Sequence, residues 1–278
     1  MIVLSHYQAA ELLAGRRAGS ATVTASPDLG MSRVEASLGA DGVRFADGGF
    51  VEWATLQKIA KKETNCFVID DGGCRKLLAY SEATKRPFGL LPTPRAPALL
   101  LSGVTMHRIK NVDPVEDTER KIRAVSPLTG RVLDTATGLG YTAIAAARTA
   151  SHVTTIELDA EVLELARLNP WSCELFDNSK ITQVVGDSSQ LVRTFSDLAF
   201  DHILHDPPMI RLAGDLYSTV LYREFFRVLR PGGRLFHYIG DPESPGGHTT
   251  TQGVLRRLRE TGFHVEPRPE AFGVVARK

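Results

Sequence analysis

The sequence predicts an α/β fold: a mostly parallel sheet built from βαβ units, preceded by a small β-rich α+β domain. Three observations predict it. Between residues 131 and 206, four runs rich in β-branched and apolar residues each end at an acid, with helical stretches between them. The first hundred residues differ in character, with short β-prone runs broken by glycine and aspartate. The length of 278 residues, 43% hydrophobic and 23% charged, is ordinary globular usage and allows one large or two modest domains.

In chain order, residues 8–18 read as a helix. Short strands follow at Thr22–Thr24, Arg33–Leu38 and Val43–Phe45, then a helix from about Glu52 to Lys61. Cys66–Ile69 and Arg75–Tyr80 read as a hairpin joined across Asp70-Asp71-Gly72-Gly73, since Asp-Gly is a strong turn signal. Pro87 to Pro97 has four prolines in eleven residues and reads as an ordered loop rather than a strand. Ala98–Val104 is a further strand. The predicted domains are therefore a small α+β domain at 1–103, a connecting segment at 104–125 with a helix from about Pro114 to Val125, and a larger α/β domain at 126–278.

The chemistry-bearing residues lie in the larger domain. Val132-Leu133-Asp134-Thr135-Ala136-Thr137-Gly138-Leu139-Gly140-Tyr141 reads as a buried strand, an acid, a glycine turn and then a helix over Thr142–Arg148. Glycine lets the backbone approach a ligand and reach positive φ at little steric cost. The helix after the turn presents unpaired N–H groups. The strand-end acid repels phosphate and attracts an amine, the reverse of what a nicotinamide dinucleotide needs at its first turn. Ala143 stands where the dinucleotide fingerprint has its third small residue, so the glycines alone do not discriminate. Later acids do. Glu157 ends a second run 23 residues after Asp134, placed to accept from a ribose diol, with Leu158 beside it to pack on a base. Ile181–Ser188 gives a third strand end, where Asp187 is placed to accept from an exocyclic amine. Phe200–Pro208 gives a fourth, closed by Asp206-Pro207-Pro208.

Composition excludes little. A net charge of +1 and a pI near 7.8 argue against nucleic-acid binding through overall charge, and Arg256-Arg257-Arg259 reads as a solvated helix face. No apolar run has the length of a membrane span. Met1–His6 lacks the basic and apolar regions of a secretory signal, so a cytoplasmic protein is expected. Cys66, Cys74 and Cys173 have no metal-ligand spacing. An odd count favours free thiols, although Cys66 and Cys74 flank one hairpin and a pairing there is conceivable. No metal requirement is visible.

Taken together, the series resembles the class I S-adenosylmethionine-dependent methyltransferase superfamily with its seven-stranded Rossmann-like sheet, over roughly residues 126–278. The resemblance implies S-adenosyl-L-methionine as cofactor. It places Asp134, Thr135, Ala136, Gly138 and Gly140 at the methionine end, Glu157 and Leu158 at the ribose and adenine face, and Asp187 with Ser188 at the adenine edge. Arg230-Pro231-Gly232-Gly233-Arg234-Leu235 also looks like the superfamily's turn from the fourth helix into the fifth strand. A narrower likeness is to spermidine synthases. Leu101-Ser102-Gly103-Val104 with Met106, the acidic helix start at Asp117–Ile122, and Leu216-Tyr217-Ser218-Thr219-Val220-Leu221-Tyr222 fall where that family has its own segments. Asp206 falls on that family's catalytic aspartate. Departures accompany this: Met209 replaces a second aspartate, Met106 a glutamine, and Ser102 the aspartate before glycine. Missing carboxylates disfavour a polyamine, which needs several of them to replace its water.

The expected activity is methyl transfer to an amine nitrogen held near Asp206, where many amine-directed methyltransferases carry Asn/Asp-Pro-Pro-aromatic. Here Met209 stands in the aromatic's place. His107 is expected to face the cleft, and Tyr217 and Tyr222, at the start of the helix after the fourth strand, to roof the substrate pocket. His205 precedes Asp206 on the opposite face of its strand and reads as structural. Gly240–His248 reads as a lid. The alternatives are aminopropyl transfer from decarboxylated S-adenosylmethionine and a non-catalytic nucleoside-binding relative. A small amine, a protein side chain or an RNA base remain open as acceptor. A homo-oligomer is expected from the spermidine-synthase likeness.

Overall fold

The structure is a computed structural model and describes residues 1–210 and 212–278. The chain forms two compact units, one of residues 1–115 with 161–173, the other of residues 116–160 with 174–278.

The first unit holds three small antiparallel sheets. Thr22–Ala25, Val34–Leu38, Gly42–Phe45 and Phe50–Glu52 form a four-stranded meander. Ile2–Leu4 pairs with Phe67–Asp70, and that strand with Gly73–Lys76. The helix His6–Arg17 starts at a capping box, in which the Ser5 side chain accepts from the helix backbone while Gln8 reaches back to the Ser5 N–H. This helix and Trp53–Ala60 cover a core of Leu12, Leu56, Ile59, Val43 and Phe45.

Three expectations fail here. Arg75–Tyr80 is not one strand. The chain breaks at Leu77, whose N–H donates to the Cys66 carbonyl, and Leu78–Ser81 crosses to a separate four-stranded sheet. Second, part of the proline-rich stretch is a strand, Arg86–Leu91, lying between Leu78–Ser81 and Ala98–Leu101. Pro87 is tolerated because it stands at the strand's second residue, where a missing N–H leaves the rest of the ladder intact, and its carbonyl accepts from Ser102. Ala98–Val104 is likewise a hairpin. Leu101 pairs with Val104 across Ser102-Gly103, both at positive φ as a type I′ turn requires. The three cysteines are free, with Cys66 buried and Cys74 exposed.

The second unit carries the large sheet. Its strands are β1 (Arg131–Asp134), β2 (His152–Glu157), β3 (Ile181–Val185), β4 (Phe200–His205), β5 (Leu229–Tyr238), β6 (His264–Arg268) and β7 (Gly273–Arg277). Their spatial order is β3-β2-β1-β4-β5-β7-β6, parallel except that β7 runs antiparallel to β5 and β6. The helices, in chain order, are α1 (Pro114–Val125), α2 (Tyr141–Ala147), α3 (Ala160–Arg167), α4 (Cys173–Asp177), α5 (Ser188–Leu191), α6 (Thr219–Val228) and α7 (Gly247–Glu260), of which α3 from Glu161 on belongs to the first unit. The Rossmann-like α/β class read from the sequence is the one observed. The Pro231-Gly232-Gly233 turn lies inside β5 as a bulge: the register with β4 jumps from Phe200–Leu229 to His202–Arg234, and Gly232 takes φ 78°. The core is apolar where sheet meets helix, with Leu133, Ile203, Leu235 and Val274 of the strands against Phe225 and Val228 of α6 and Val254 and Leu258 of α7.

Strand order decides where a ligand goes. From β1 the chain turns one way to β2 and β3 and later returns on the other side with β4. Open α/β sheets bind ligands at the carboxyl ends of the strands beside such a reversal. Asp134 ends β1 and Asp206 follows β4, so the two acids flank that reversal. No helix among the described residues is long and apolar enough to cross a membrane.

Candidate active site

Asp134 is fully buried. Its Oδ2 accepts from the hydroxyls of Thr142, at 3.0 Å, and Thr155, at 3.1 Å. Thr155 thus has its proton committed, and Thr137, 2.6 Å away, donates to it. Oδ1 of Asp134 is buried and has no hydrogen-bond partner among the described residues. Burial pushes the carboxyl up to about 7, against the two threonine hydroxyls and the Ala136 N–H, which lies nearby without hydrogen-bond geometry to Oδ1, and Asp206 raises it further. A buried carboxylate oxygen with no donor costs desolvation unless a ligand supplies one. A cationic group fits that oxygen.

The loop after Asp134 is pinned to both neighbouring strands. Thr135 N–H donates to Leu204 O and Thr137 N–H to Ile156 O. Gly138 has φ 53° and gives its N–H to Glu157 Oε2 at 2.8 Å. Glu157 Oε1 takes the N–H of Asp159 at 3.2 Å. Burial lifts the Glu157 carboxyl to about 7, with these backbone donors opposing. A carboxylate has about four acceptor positions, and with the N–H groups of Gly138, Asp159 and Leu158 beside it, acceptor capacity remains for a ribose hydroxyl. Leu158 beside it is 51% exposed, as a side chain waiting to cover a planar ligand would be. Gly140 opens α2 at φ 78°, and a Cβ there would stand 2.7 Å from Leu175 Cδ2. Gly140→Ala is therefore expected to destabilise the unit by about 1–3 kcal/mol through strain and overpacking. Thermal melting would check it, and an unchanged midpoint would contradict it.

Asp187 does something the sequence did not indicate. It is the N-cap of α5, and its Oδ1 accepts from Ser189 N–H at 2.8 Å. A short polar side chain before a helix caps by preference, so only Oδ2 is left for a base. Ser188 is buried behind it.

At the end of β4, Asp206 is partly buried and its Oδ2 lies 2.6 Å from Lys121 Nζ. Sequence reading missed Lys121. It lies on α1, where Pro114, Asp117, Thr118, Lys121 and Val125 form the buried face. Its Nζ also lies 2.8 Å from Asp117 Oδ2 and 4.6 Å from the Tyr238 ring. Burial alone would discharge this ammonium, but Asp206 and Asp117 outweigh it and hold it charged. Burial likewise lifts the Asp206 carboxyl, with Lys121 opposing. The signal that was available is an Asp–Lys pair at i, i+4 on the helix face that also carries Val125.

The aromatic and histidine candidates make the following contacts. Tyr217 lies in a 3₁₀ turn, Gly214–Tyr217, not at a helix start, and Ser218 caps α6 instead. Its hydroxyl donates to Pro208 O at 3.1 Å and so fixes the turn after Asp206. Burial, and secondarily Asp206, raise its phenol well above the ordinary range, so it stays a donor. Tyr222 is fully buried with its hydroxyl 2.8 Å from His237 Nε2, which removes it from any pocket roof. His205 is buried and, as read from the sequence, braces the site. Its Nε2 donates to Leu216 O at 2.8 Å, so its Nδ1 accepts from Thr135 Oγ1 at 2.6 Å. Burial brings its pKa down to about 4, which keeps it neutral and ties the β1 loop to β4. His107 lies in the first unit, where its Nδ1 accepts from Leu99 N–H at 3.1 Å. Of the segment read as a lid, Gly247 and His248 are the first turn of α7.

Comparison with known proteins gives the following. A methyltransferase-domain family model matches residues 132–233. The uncharacterised protein MJ1233 of Methanocaldococcus jannaschii is 46% identical over 238 residues, 84% of this chain and 81% of its own length. Polyamine aminopropyltransferase 2 of Hyperthermus butylicus is 31% identical over 114 residues, which span 38% of this chain and 37% of that protein. Spermidine synthase in complex with the transition-state analogue AdoDATO superposes with a TM-score of 0.58 at 21% identity, over 76% of this chain and 78% of that one. The Thermotoga maritima spermidine synthase gives 0.55 at 19% identity, over 76% of each. Identities this low establish a shared fold and leave the substrate open.

Proposed function

Because this chain belongs to the S-adenosylmethionine-dependent methyltransferase superfamily, with a spermidine-synthase-like fold, we propose that it transfers a methyl group to an amine nitrogen facing Asp206. The buried, partnerless Oδ1 of Asp134 carries the reading. It lies at a strand end next to Asp206 and calls for a cationic ligand group. Asp134 would hold the ammonium of the cofactor's methionine end, the glycine loop its backbone, Glu157 the ribose hydroxyls, and Leu158 an adenine face. When bound, S-adenosylmethionine supplies an electrophilic methyl group.

The chain's own residues do the rest. Methyl transfer requires the nucleophile in line with the methyl, and positioning supplies most of the rate. Asp206 is fixed by Lys121 on one oxygen and by a Pro-Pro turn that Tyr217 ties down. Its Oδ1 is left to accept from an acceptor N–H or to take its proton. His205 and Thr135 hold the β1 loop and the β4 end in register, so donor and acceptor positions keep their spacing. Met209, where spermidine synthases carry a second aspartate, supports methyl over aminopropyl transfer.

Calorimetry comparing S-adenosylmethionine with its decarboxylated form tests the cofactor, and labelled-methyl transfer to candidate amines tests the reaction. Tighter binding of S-adenosylmethionine is expected. In Asp206→Asn, affinity for it should hold within about threefold while turnover falls by about 10²–10⁴, the range for a general base. Preference for the decarboxylated form would overturn methyl transfer in favour of aminopropyl transfer.

A further inference from the structure

The acid assigned to the acceptor is already paired from within the chain. Lys121 is 3% exposed. An ammonium has three N–H donors. Those of Lys121 face Asp206 Oδ2 at 2.6 Å, Asp117 Oδ2 at 2.8 Å and the ring of Tyr238 at 4.6 Å. This is the set of partners that would desolvate a substrate ammonium: two carboxylates and an aromatic face. The residues after the Pro-Pro pair, Met209 and Ile210, are 37% and 39% exposed and apolar, so that segment offers a second substrate cation nothing. Two acids and one base leave the cluster one net negative charge. The open position on it is Asp206 Oδ1, to which no hydrogen bond is made among the described residues.

We propose that Lys121 is a specificity-determining residue: its tethered ammonium fills the place between Asp117 and Asp206 that a second substrate ammonium would take, so the acceptor is an amine bearing at most one positive charge and not a polyamine. This rests on the reading of Asp206 as the acceptor-facing acid. Lys121 positions that carboxylate and does not itself touch the acceptor.

The test compares butylamine with 1,4-diaminobutane by calorimetry, with and without S-adenosylhomocysteine. Wild-type protein is expected to show no preference for the diamine. In Lys121→Ala the cluster loses the internal cation and the volume its side chain fills, while both carboxylates stay. Diamine affinity should then rise by at least about tenfold, as close charge pairs allow, and the gain should vanish when Asp206→Asn is added. A cooperatively folded Lys121→Ala protein with no diamine gain would overturn the proposal. So would a wild-type protein that binds the diamine more than about tenfold tighter than the monoamine, a comparison that stands even if the variant fails to fold. The parent reading fails separately: if Asp206→Asn alone leaves acceptor KM and turnover unchanged, Asp206 does not face the acceptor, whatever the diamine does.

Discussion

Lys121→Met alone is expected to lower the unfolding free energy by about 3–5 kcal/mol, the range for removing one partner of a buried ion pair. For a unit of this size that is a fall in melting temperature of roughly 6–20 °C. The lost attraction is the smaller part. Methionine fills most of the lysine volume, so packing changes little, but Asp117, 1% exposed, and Asp206 are left as two buried charges with no cation between them. The pH dependence identifies this cause. With the ammonium gone, burial and the nearby Asp117 charge raise the Asp206 carboxyl without opposition, so the native state holds a proton that the unfolded chain, at about 3.9, has released. The variant's stability should therefore fall as pH rises above about 4, and its deficit against wild type should shrink in acid. Asp117→Asn added to Lys121→Met should recover part of the loss by removing one stranded charge. A deficit below about 1 kcal/mol, or one indifferent to pH, would mean the ammonium is hydrated rather than buried.

The contrast between Lys121 and Asp134 explains which parts of the site were legible in the sequence. Asp134, Gly138, Gly140 and Glu157 sit at strand ends and in a tight turn, where local geometry dictates residue type. Spacing placed them at the strand ends and in the glycine turn where the structure has them. Four of the strands were legible as β-branched runs ending in acids; the seven-stranded sheet was expected only from the family resemblance. Lys121 is different. Six of the twelve residues of α1 are charged, so its composition reads as a solvated face, and its decisive partner Asp206 lies 85 residues away. A contact of that separation leaves no periodic trace. Asp187 carries a role that spacing did not signal: the α5 backbone takes one of its oxygens. Pro87 failed because proline frequency was read without asking whether the missing N–H had a ladder position to fill.

Cofactor binding near neutral pH is expected to release protons, and Asp134 is the main source. Burial puts the carboxyls of both Asp134 and Glu157 at about 7 in the cofactor-free protein, so at pH 6.5 each is largely protonated. An ammonium placed on Asp134 Oδ1 favours the ionised form, and hydroxyl donors to Glu157 do the same more weakly. The sign for stability follows. A folded-state value above the unfolded one means the native chain binds more protons, so these two acids stabilise the cofactor-free fold most at or below pH 4. Their contribution is lost as pH rises from about 4 to 7. The cofactor reverses that trend by preferring the ionised site, so its affinity should rise from pH 6 to 8. Titrating S-adenosylmethionine at pH 6.5 in phosphate and in Tris measures the effect directly, because released protons add the buffer's ionisation enthalpy to the observed heat. A release of roughly 0.5–1.5 protons is expected, and Asp134→Asn should remove the larger share while weakening binding by about 10–100-fold, as for a charge-assisted bond of about 1.5–3 kcal/mol. Equal heats in the two buffers for the wild-type protein would mean that cofactor binding moves no proton at this site, and Asp134 would then not be the group that the cofactor's ammonium ionises.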